Sequence, residues 1–276
     1  LAVTAGITVK QATIKGQSLY HRLCRFDGFL FGACRKERIL KKMGINELLL
    51  VTSVFVIYGS VLLFYRLFGK TGLCALNAVV TITANIEVLI LVVAFGLEQT
   101  LGNVLFASTF LITDLLSELE GKRAAKKSVM IGIVSSLFFL LISQSWLLYV
   151  PSANDFISGA MREVFANTPR MILAGISVYV VVQFFDVWLY HRWWALTTRL
   201  TGDKNRFLWL RNNGSTLISQ LLNSVLFNLA AFWGTYDNKT LLTIILSTFM
   251  IYVCTSLLDT PFLYLAKKLK KDVVSE

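Results

Sequence analysis

The stretch that decides the fold is "FASTFLITDLLSELEGKRAAKK", residues 106–127. Its first half has the apolar character of a helix in lipid, yet Asp114 and Glu118 lie within it, one turn apart. Four bases then close it, Lys122, Arg123, Lys126 and Lys127. A charge at the bilayer centre costs at least about 2.5–3.5 kcal/mol, so carboxylates kept there usually face a cavity or a partner. The base cluster reads as the end of the helix that stays with the cytoplasmic headgroups.

The rest of the chain has the same character. Of 276 residues, 55% are hydrophobic and 16% charged, against about 25% charged in soluble domains. The mean hydropathy is +0.65. A net charge of +11 first suggests nucleic acid, but the bases fall between apolar runs and form no stripe with interleaved aromatics, so nucleic acid is not expected as a partner. Cys24, Cys34, Cys74 and Cys254 show no CxxC spacing, and His21 and His191 are the only histidines. No metal site and no cofactor is expected.

A spanning helix needs about 20 mainly apolar residues. Seven candidate runs meet this, at 47–68, 73–95, 100–119, 128–150, 170–191, 214–234 and 241–265, the third being the shortest and most polar. They lack strand alternation, and lipid admits only helices or closed barrels. The expected fold is an all-α integral membrane protein, six to seven transmembrane helices around a polar central site. The basic loops place the C-terminal "KKLKKD" in the cytoplasm of a multi-pass cell-membrane protein.

Residues 1–42 conflict with this pattern. Lys10, Lys15, Arg22, Arg25, Arg35, Lys36, Arg38, Lys41 and Lys42 face only Asp27 and Glu37, and would have to lie outside. The expectation is a translated upstream extension with the native start at Met43; the alternative is a genuine basic anchor. Peptides from 1–42 in mass spectra of the native protein would rule out the start at Met43.

Polar residues recur at helical spacing, where i, i+3, i+4 and i+7 share a face. The third run carries Asn103, Ala107, Asp114 and Glu118; the fifth Tyr179, Gln183, Asp186 and Tyr190; the sixth Thr216, Gln220, Asn223 and Phe227. The seventh carries Tyr252, Ser256 and Asp259, and the second Asn77, Thr81 and Asn85. Packed inward, these faces would surround a site of carboxylates, amides and aromatic rings. It suits a planar molecule with several N–H donors, because a carboxylate accepts two parallel bonds from a guanine-like edge and an aromatic ring stacks on it. The candidate substrate-binding residues are Asp114, Glu118, Gln183, Asp186, Gln220, Asn223, Tyr179, Asn85 and Asp259. Structural readings compete. Thr81, Ser143, Ser145 and Thr216 fit helix-joining hydrogen bonds. Glu118 has Lys122 at i+4, Asp259 has Lys267 within reach, and Asn213 or Ser215 suits the N-cap of the sixth helix.

Four segments then resemble a known family. "TLGNVLFASTFLITDLLSELEGKRAAKK", "VVVQFFDVWLYHR", "LRNNGSTLISQLLNSVLFNLAAFWG" and "LLDTPFLY" are similar to the queuosine-precursor transporter family, also called the vitamin uptake transporter family. The resemblance runs from about residue 45 to 265 in motif order. It implies uptake of a 7-deazaguanine, namely 7-cyano-7-deazaguanine, its aminomethyl relative or queuine, for tRNA modification. The family's "TD..SE" falls on Thr113, Asp114, Ser117 and Glu118, and its "Q..D" on Gln183 and Asp186. Its "STL..Q..D" falls on Ser215, Thr216, Leu217 and Gln220, but Asn223 stands where the family has Asp. An amide still binds a purine-like edge but carries neither proton nor charge.

Coupling to a proton through Asp114 or Asp186 and facilitated diffusion with intracellular trapping both remain open. One alternative is the substrate-binding membrane subunit of an energy-coupling-factor vitamin transporter. It would need a separate ATPase chain, since no GxxxxGK[ST] loop occurs. An intramembrane enzyme is not expected. No HExxH or GxGD-like motif is present, and His191 lies at a helix end among bases.

Overall fold

The computed structural model describes the backbone of residues 28–166, 169–203, 207–234 and 237–274, and the side chains of 44–166, 172–203, 207–234 and 237–270. The Met43 side chain and the basic side chains before it lie outside the described side chains, so the expected start at Met43 finds no test there. The chain forms two units, Leu1–Leu48 and Leu49–Glu276. The described elements are α1 (Gly28–Glu87), β1 (Leu91–Ala94), β2 (Leu97–Thr100), α2 (Gly102–Leu119), α3 (Lys122–Trp146), α4 (Ser158–Ala166), α5 (Pro169–Thr201), α6 (Leu208–Phe232) and α7 (Asn238–Val274). The second unit, with the whole of α2 to α7, is an all-α integral membrane protein apart from one small hairpin.

Five helices are long and apolar enough to cross a membrane: Gly44–Glu87, Lys122–Trp146, Ile172–Thr201, Leu208–Phe232 and Asn238–Lys270. Gly44–Glu87 has 44 residues, about 66 Å if straight, or twice a hydrocarbon core. It is not straight. Gly69 has φ 58 and ψ −143, a region open essentially to glycine. Beyond it the chain folds back, so that a Cβ on Gly72 would sit 2.5 Å from the Phe64 carbonyl oxygen. Eight residues apart in a straight helix, those groups would be about 12 Å from each other. Two successive apolar runs thus become two limbs joined at a glycine reversal.

The second limb stops at Glu87 instead of continuing to residue 95. Leu91–Ala94 pairs antiparallel with Leu97–Thr100 through a turn in which Phe95 and Gly96 take φ 53 and φ 74. β-Branched Val92 and Val93 suit a strand, and the glycine permits the tight turn. The long apolar run hid this hairpin from the sequence.

The helix that carries Asp114 and Glu118, α2, has 18 residues and is not among the five. Its burial explains its polarity, since the residues from Gly102 to Ser117 are buried except Leu105 and Phe106. It contacts α3, α5, α6 and α7, so its polar face meets other helices rather than lipid. The lipid-facing surface is carried by its neighbours, with Val134, Phe138, Leu141, Leu242, Leu246 and Leu257 all more than half exposed, or Phe138 and Leu141 well beyond that. The apolar core runs through Tyr58, Val61, Leu73, Leu111, Leu115, Val129 and Leu263.

The loop ends are capped by acids. Asp237 accepts from the Lys239 and Thr240 amides and the Thr240 hydroxyl at the start of α7. The Thr240 hydroxyl and amide hold its carboxyl below the usual range. Asp155 does the same before α4 through Ser158 and Ile157. The expected N-cap on Asn213 or Ser215 does not occur. α6 begins earlier, at Leu208, and both residues lie inside it. The apolar Phe207–Leu210 segment extends the helix N-terminally past the polar "RNNGS".

Candidate functional site

Along α2 the inward-facing polar residues fall at three levels, because helical repeats carry each neighbouring helix past the same levels. Asn103 and Asp114 are about 16 Å apart along the axis, and Glu118 is one turn further. Tyr252 and Asp259 on α7, and Asn223 and Thr216 on α6, are each about 10 Å apart.

The level next to the hairpin is a pocket. Ala84, Asn85 and Val88 of α1, Gly102, Asn103 and Phe106 of α2, Gly175 of α5, Asn223 and Phe227 of α6, and Tyr252 of α7 line it. Its free volume is about 20 Å³, room for about one water molecule in this conformation. Three amides and a phenol face two aromatic rings. The Asn223 Nδ2 donates to the Tyr252 hydroxyl at 3.0 Å, and that hydroxyl donates to Asn103 Oδ1 at 3.4 Å. Thr100 also donates to Asn103 Oδ1, at 3.1 Å. This leaves Asn103 Nδ2 as a buried donor and Asn223 Oδ1 as a buried acceptor, neither with a partner among the described residues. Buried polar atoms are nearly always paired, so two complementary orphans in one pocket wall are an exception that calls for a cause.

The middle level gathers the acids. Asp114, Asp186 and Asp259, from α2, α5 and α7, are all fully buried. Thr216 donates to Asp114 Oδ2 at 2.8 Å, and Asp114 Oδ1 has no partner. Asp114 and Ser219 stand beside Asp186, and Tyr58 beside Asp259, without good hydrogen-bond geometry to either acid. Both amide atoms of the buried Gln220 are likewise without partners among the described residues. His/Cys/Asp/Glu groups able to hold a metal are absent among the described residues.

The third level lies at the basic end and is fully paired. Arg211 of α6, buried, donates from Nη2 to both Glu118 oxygens, at 2.7 and 2.6 Å, and from Nε at 3.1 Å. Lys267 of α7 donates to Glu118 Oε1 at 2.7 Å, and the Tyr190 hydroxyl of α5 to Oε2 at 3.0 Å. The guanidinium carbon stands 4.5 Å from the Trp194 ring centroid, a cation–π contact. One carboxylate thus ties four helices together. Outside it, Lys270 bonds both the Leu119 carbonyl and Glu120.

The candidate residues therefore divide. Asn85 and Asn223 line the pocket, while Asp114, Asp186, Gln220 and Asp259 form the acidic level. Glu118 pairs with Arg211 and Lys267 rather than with Lys122, because Arg211 approaches from the buried side while Lys122 is exposed. That engagement directs Lys267 to Glu118 instead of Asp259. Gln183 is held between α2 and α5, donating to Thr109 at 2.5 Å and accepting from Thr113 at 3.2 Å. Tyr179 accepts from Asn77 at 3.1 Å beside Gly132, where a Cβ would come within 2.8 Å of its hydroxyl. Thr216 does join two helices. Ser143 and Ser145 instead donate to carbonyls of their own helices, whereas Thr81 donates to the Asn77 carbonyl and also stands against the Tyr179 hydroxyl of α5.

Arg211 lies N-terminal to the apolar run at 214–234, yet falls inside α6. The signal that places it inward is its spacing of four and eight residues from Ser215 and Ser219 on one face of α6. Asn103 and Tyr252 lay on the recognised stripes, and only packing distinguished them from their neighbours. Tyr58 came from the least polar span and carried no such signal.

An all-helical membrane bundle with amides, then acids, then an ion-pair network along its interior is the architecture of an integral membrane carrier. The family model described as "Putative vitamin uptake transporter" matches residues 100–266. Across 209 residues the chain is 37% identical to the "Probable queuosine precursor transporter" of Bacillus subtilis (strain 168), covering 76% of this chain and 89% of that one. It is 26% identical over 161 residues to the "Queuosine precursor transporter" of Escherichia coli (strain K12), covering 58% and 67%. No solved structure matches. The chain belongs to the vitamin uptake transporter family.

Proposed function

We propose that this protein carries a 7-deazaguanine precursor of queuosine across the cell membrane, the amide pocket at the hairpin end widening to hold the base as the surrounding helices part. The observation that carries this reading is the orphan pair in the pocket wall, the Asn103 Nδ2 donor and the Asn223 Oδ1 acceptor. A deazaguanine edge offers the complement, an O6 acceptor beside N1–H and 2-amino donors. Phe106 and Phe227 supply ring faces in the same pocket, suited to stacking. The names of the two relatives support the substrate class.

In this reading the basic end is the cytoplasmic one, and the Glu118–Arg211–Lys267 network closes it while substrate enters from the hairpin side. Alternating access then requires that network to part and the hairpin end to close. Asp114 and Asp186 lie between the two and are the groups through which a proton would couple. Neutral Asn223 in the pocket keeps the substrate contact separate from that charge.

The test is rescue of queuosine in tRNA. A host unable to make the precursor, and lacking its own importer, expresses the protein while 7-cyano-7-deazaguanine, 7-aminomethyl-7-deazaguanine or queuine is supplied. Restored queuosine with at least one base is expected. No rescue by any of them, despite membrane expression, overturns the assignment. Uptake by the purified chain alone in liposomes distinguishes a self-sufficient carrier from one needing ATPase subunits.

A further inference from the structure

At the basic end, away from the axial levels, a second recess opens between the second limb of α1 and the start of α3. Lys70, Thr71 and Cys74 line one wall, and Glu120, Arg123, Ala124, Lys127 and Ile131 the other. Its free volume is about 360 Å³. We propose that this cleft binds the phosphate of an anionic phospholipid, with an acyl chain running along the groove below it.

Three observations carry this. First, the charges converge from two helices. Lys70, Arg123 and Lys127 are exposed, and none has an ion pair or hydrogen bond among the described residues. Second, the one acid of the wall is already engaged, because Glu120 Oε1 accepts from Lys270 at 3.0 Å and from the Tyr65 hydroxyl at 3.0 Å. The cleft therefore keeps a surplus of positive charge and free N–H donors suited to phosphate oxygens. Third, the lining becomes apolar along the helices. Cys74 is one turn past Lys70, and Ile131 one turn past Lys127. The flanking surface of α1 and α3 bears exposed Leu67, Phe68, Met130 and Val134. A cationic head above an apolar groove matches a phospholipid, whereas a free phosphate would use only the head. Basic pockets between membrane helices are physically suited to such headgroups. The location also has a consequence. The lipid would brace the glycine reversal at Gly69 against α3, at the end where the ion-pair network lies.

The experiment uses the full chain purified in a non-ionic detergent, with bound lipid counted by native mass spectrometry. Lipids offered are phosphatidylglycerol and phosphatidylcholine, with inorganic phosphate as the headless competitor. One tightly retained phosphatidylglycerol per chain is expected, with phosphatidylcholine lost first and millimolar phosphate competing weakly. The variant Lys70→Gln/Arg123→Gln/Lys127→Gln should lower phosphatidylglycerol affinity by about tenfold or more without changing the lipid-free melting temperature. The control Lys122→Gln/Lys126→Gln, on neighbouring positions of α3 outside the cleft, should retain binding. Equal loss in both variants would show unspecific charge attraction and overturn the site. Phosphate displacing the lipid at equal concentration would overturn the acyl-chain part and assign the cleft to free phosphate. Equal retention of phosphatidylcholine would overturn the anionic selectivity. If the triple variant fails to fold, Ile131→Trp, which fills the apolar groove, gives the deciding measurement, since unchanged phosphatidylglycerol retention would refute the proposal.

Discussion

The change Glu118→Gln is isosteric and removes one charge from the network that ties α2, α5, α6 and α7. Glu118 has a 2% exposed side chain, and it accepts from Arg211 at 2.6 Å and Lys267 at 2.7 Å. Arg211 is itself 0% exposed and cannot reach water when its partner is neutralised. Lys267 is 25% exposed and can turn outward, so the loss concentrates on the guanidinium. Breaking a buried pair by removing one partner costs about 3–5 kcal/mol, at about 2–4 °C per kcal/mol for a chain of this size. A melting temperature lower by about 10 °C is expected. Replacing both partners, as Glu118→Gln with Arg211→Met, removes the stranded charge and should recover most of that loss. Arg211→Met alone should cost less than Glu118→Gln alone, because Lys267 and Tyr190 still serve the carboxylate. The assay is thermal unfolding in one detergent followed by tryptophan fluorescence, to which Trp194 beside Arg211 contributes. A single-variant shift of only about a degree, or a double variant no better than the sum of the singles, would refute the reasoning.

Other outcomes follow from the same geometry. Asn103→Ala and Asn223→Ala should each weaken substrate binding about tenfold, the worth of one buried hydrogen bond, and lower the melting temperature by a few degrees, since Tyr252 and Thr100 lose buried partners; unchanged uptake in both would remove the pocket from the route. Asp114→Asn and Asp186→Asn separate coupling from structure, since normal uptake in both would show that these acids serve packing alone. Gly72→Ala places a Cβ 2.5 Å from the Phe64 carbonyl and should destabilise the reversal by about 1–3 kcal/mol; wild-type melting would deny the close approach. Asp237 has its carboxyl held low by the Thr240 hydroxyl and amide. Its contribution is therefore present above the ordinary carboxylate range and lost as pH falls through the lowered value. A smaller protection factor at Leu241, its exchange rate compared with the intrinsic rate at the same pH, should follow acidification, because its N–H is bonded to the Asp237 carbonyl, and Asp237→Ala should give it already at neutral pH.

Composition and the apolar runs sufficed for the membrane class, because burying a backbone in lipid leaves almost no choice but helix. The polar stripes were also legible, since helical periodicity fixes which residues share a face before any packing is known. Asn103, Asp114, Asn223, Tyr252 and Asp259 do face inward for that reason. The sequence did not separate them into levels. It read Glu118 with its neighbour Lys122, a pairing set by spacing, whereas the partner that reaches it is Arg211, 93 residues away. Nor did it distinguish Gln183, consumed between Thr109 and Thr113, from Asn223, which keeps an unpaired oxygen.

The sequence by itself determined the solvent of this protein, its helices and the inward direction of its polar faces. Each follows from local periodicity and the cost of exposing backbone or charge to lipid. The tertiary structure alone decided which polar atoms meet. The glycine reversal at Gly69, the hairpin at 91–100 and the crossing of α2 by its four neighbours set those distances. Of the two carboxylates in "TDLLSE", it therefore left Asp114 partly unpaired among acids and gave Glu118 to a buried arginine.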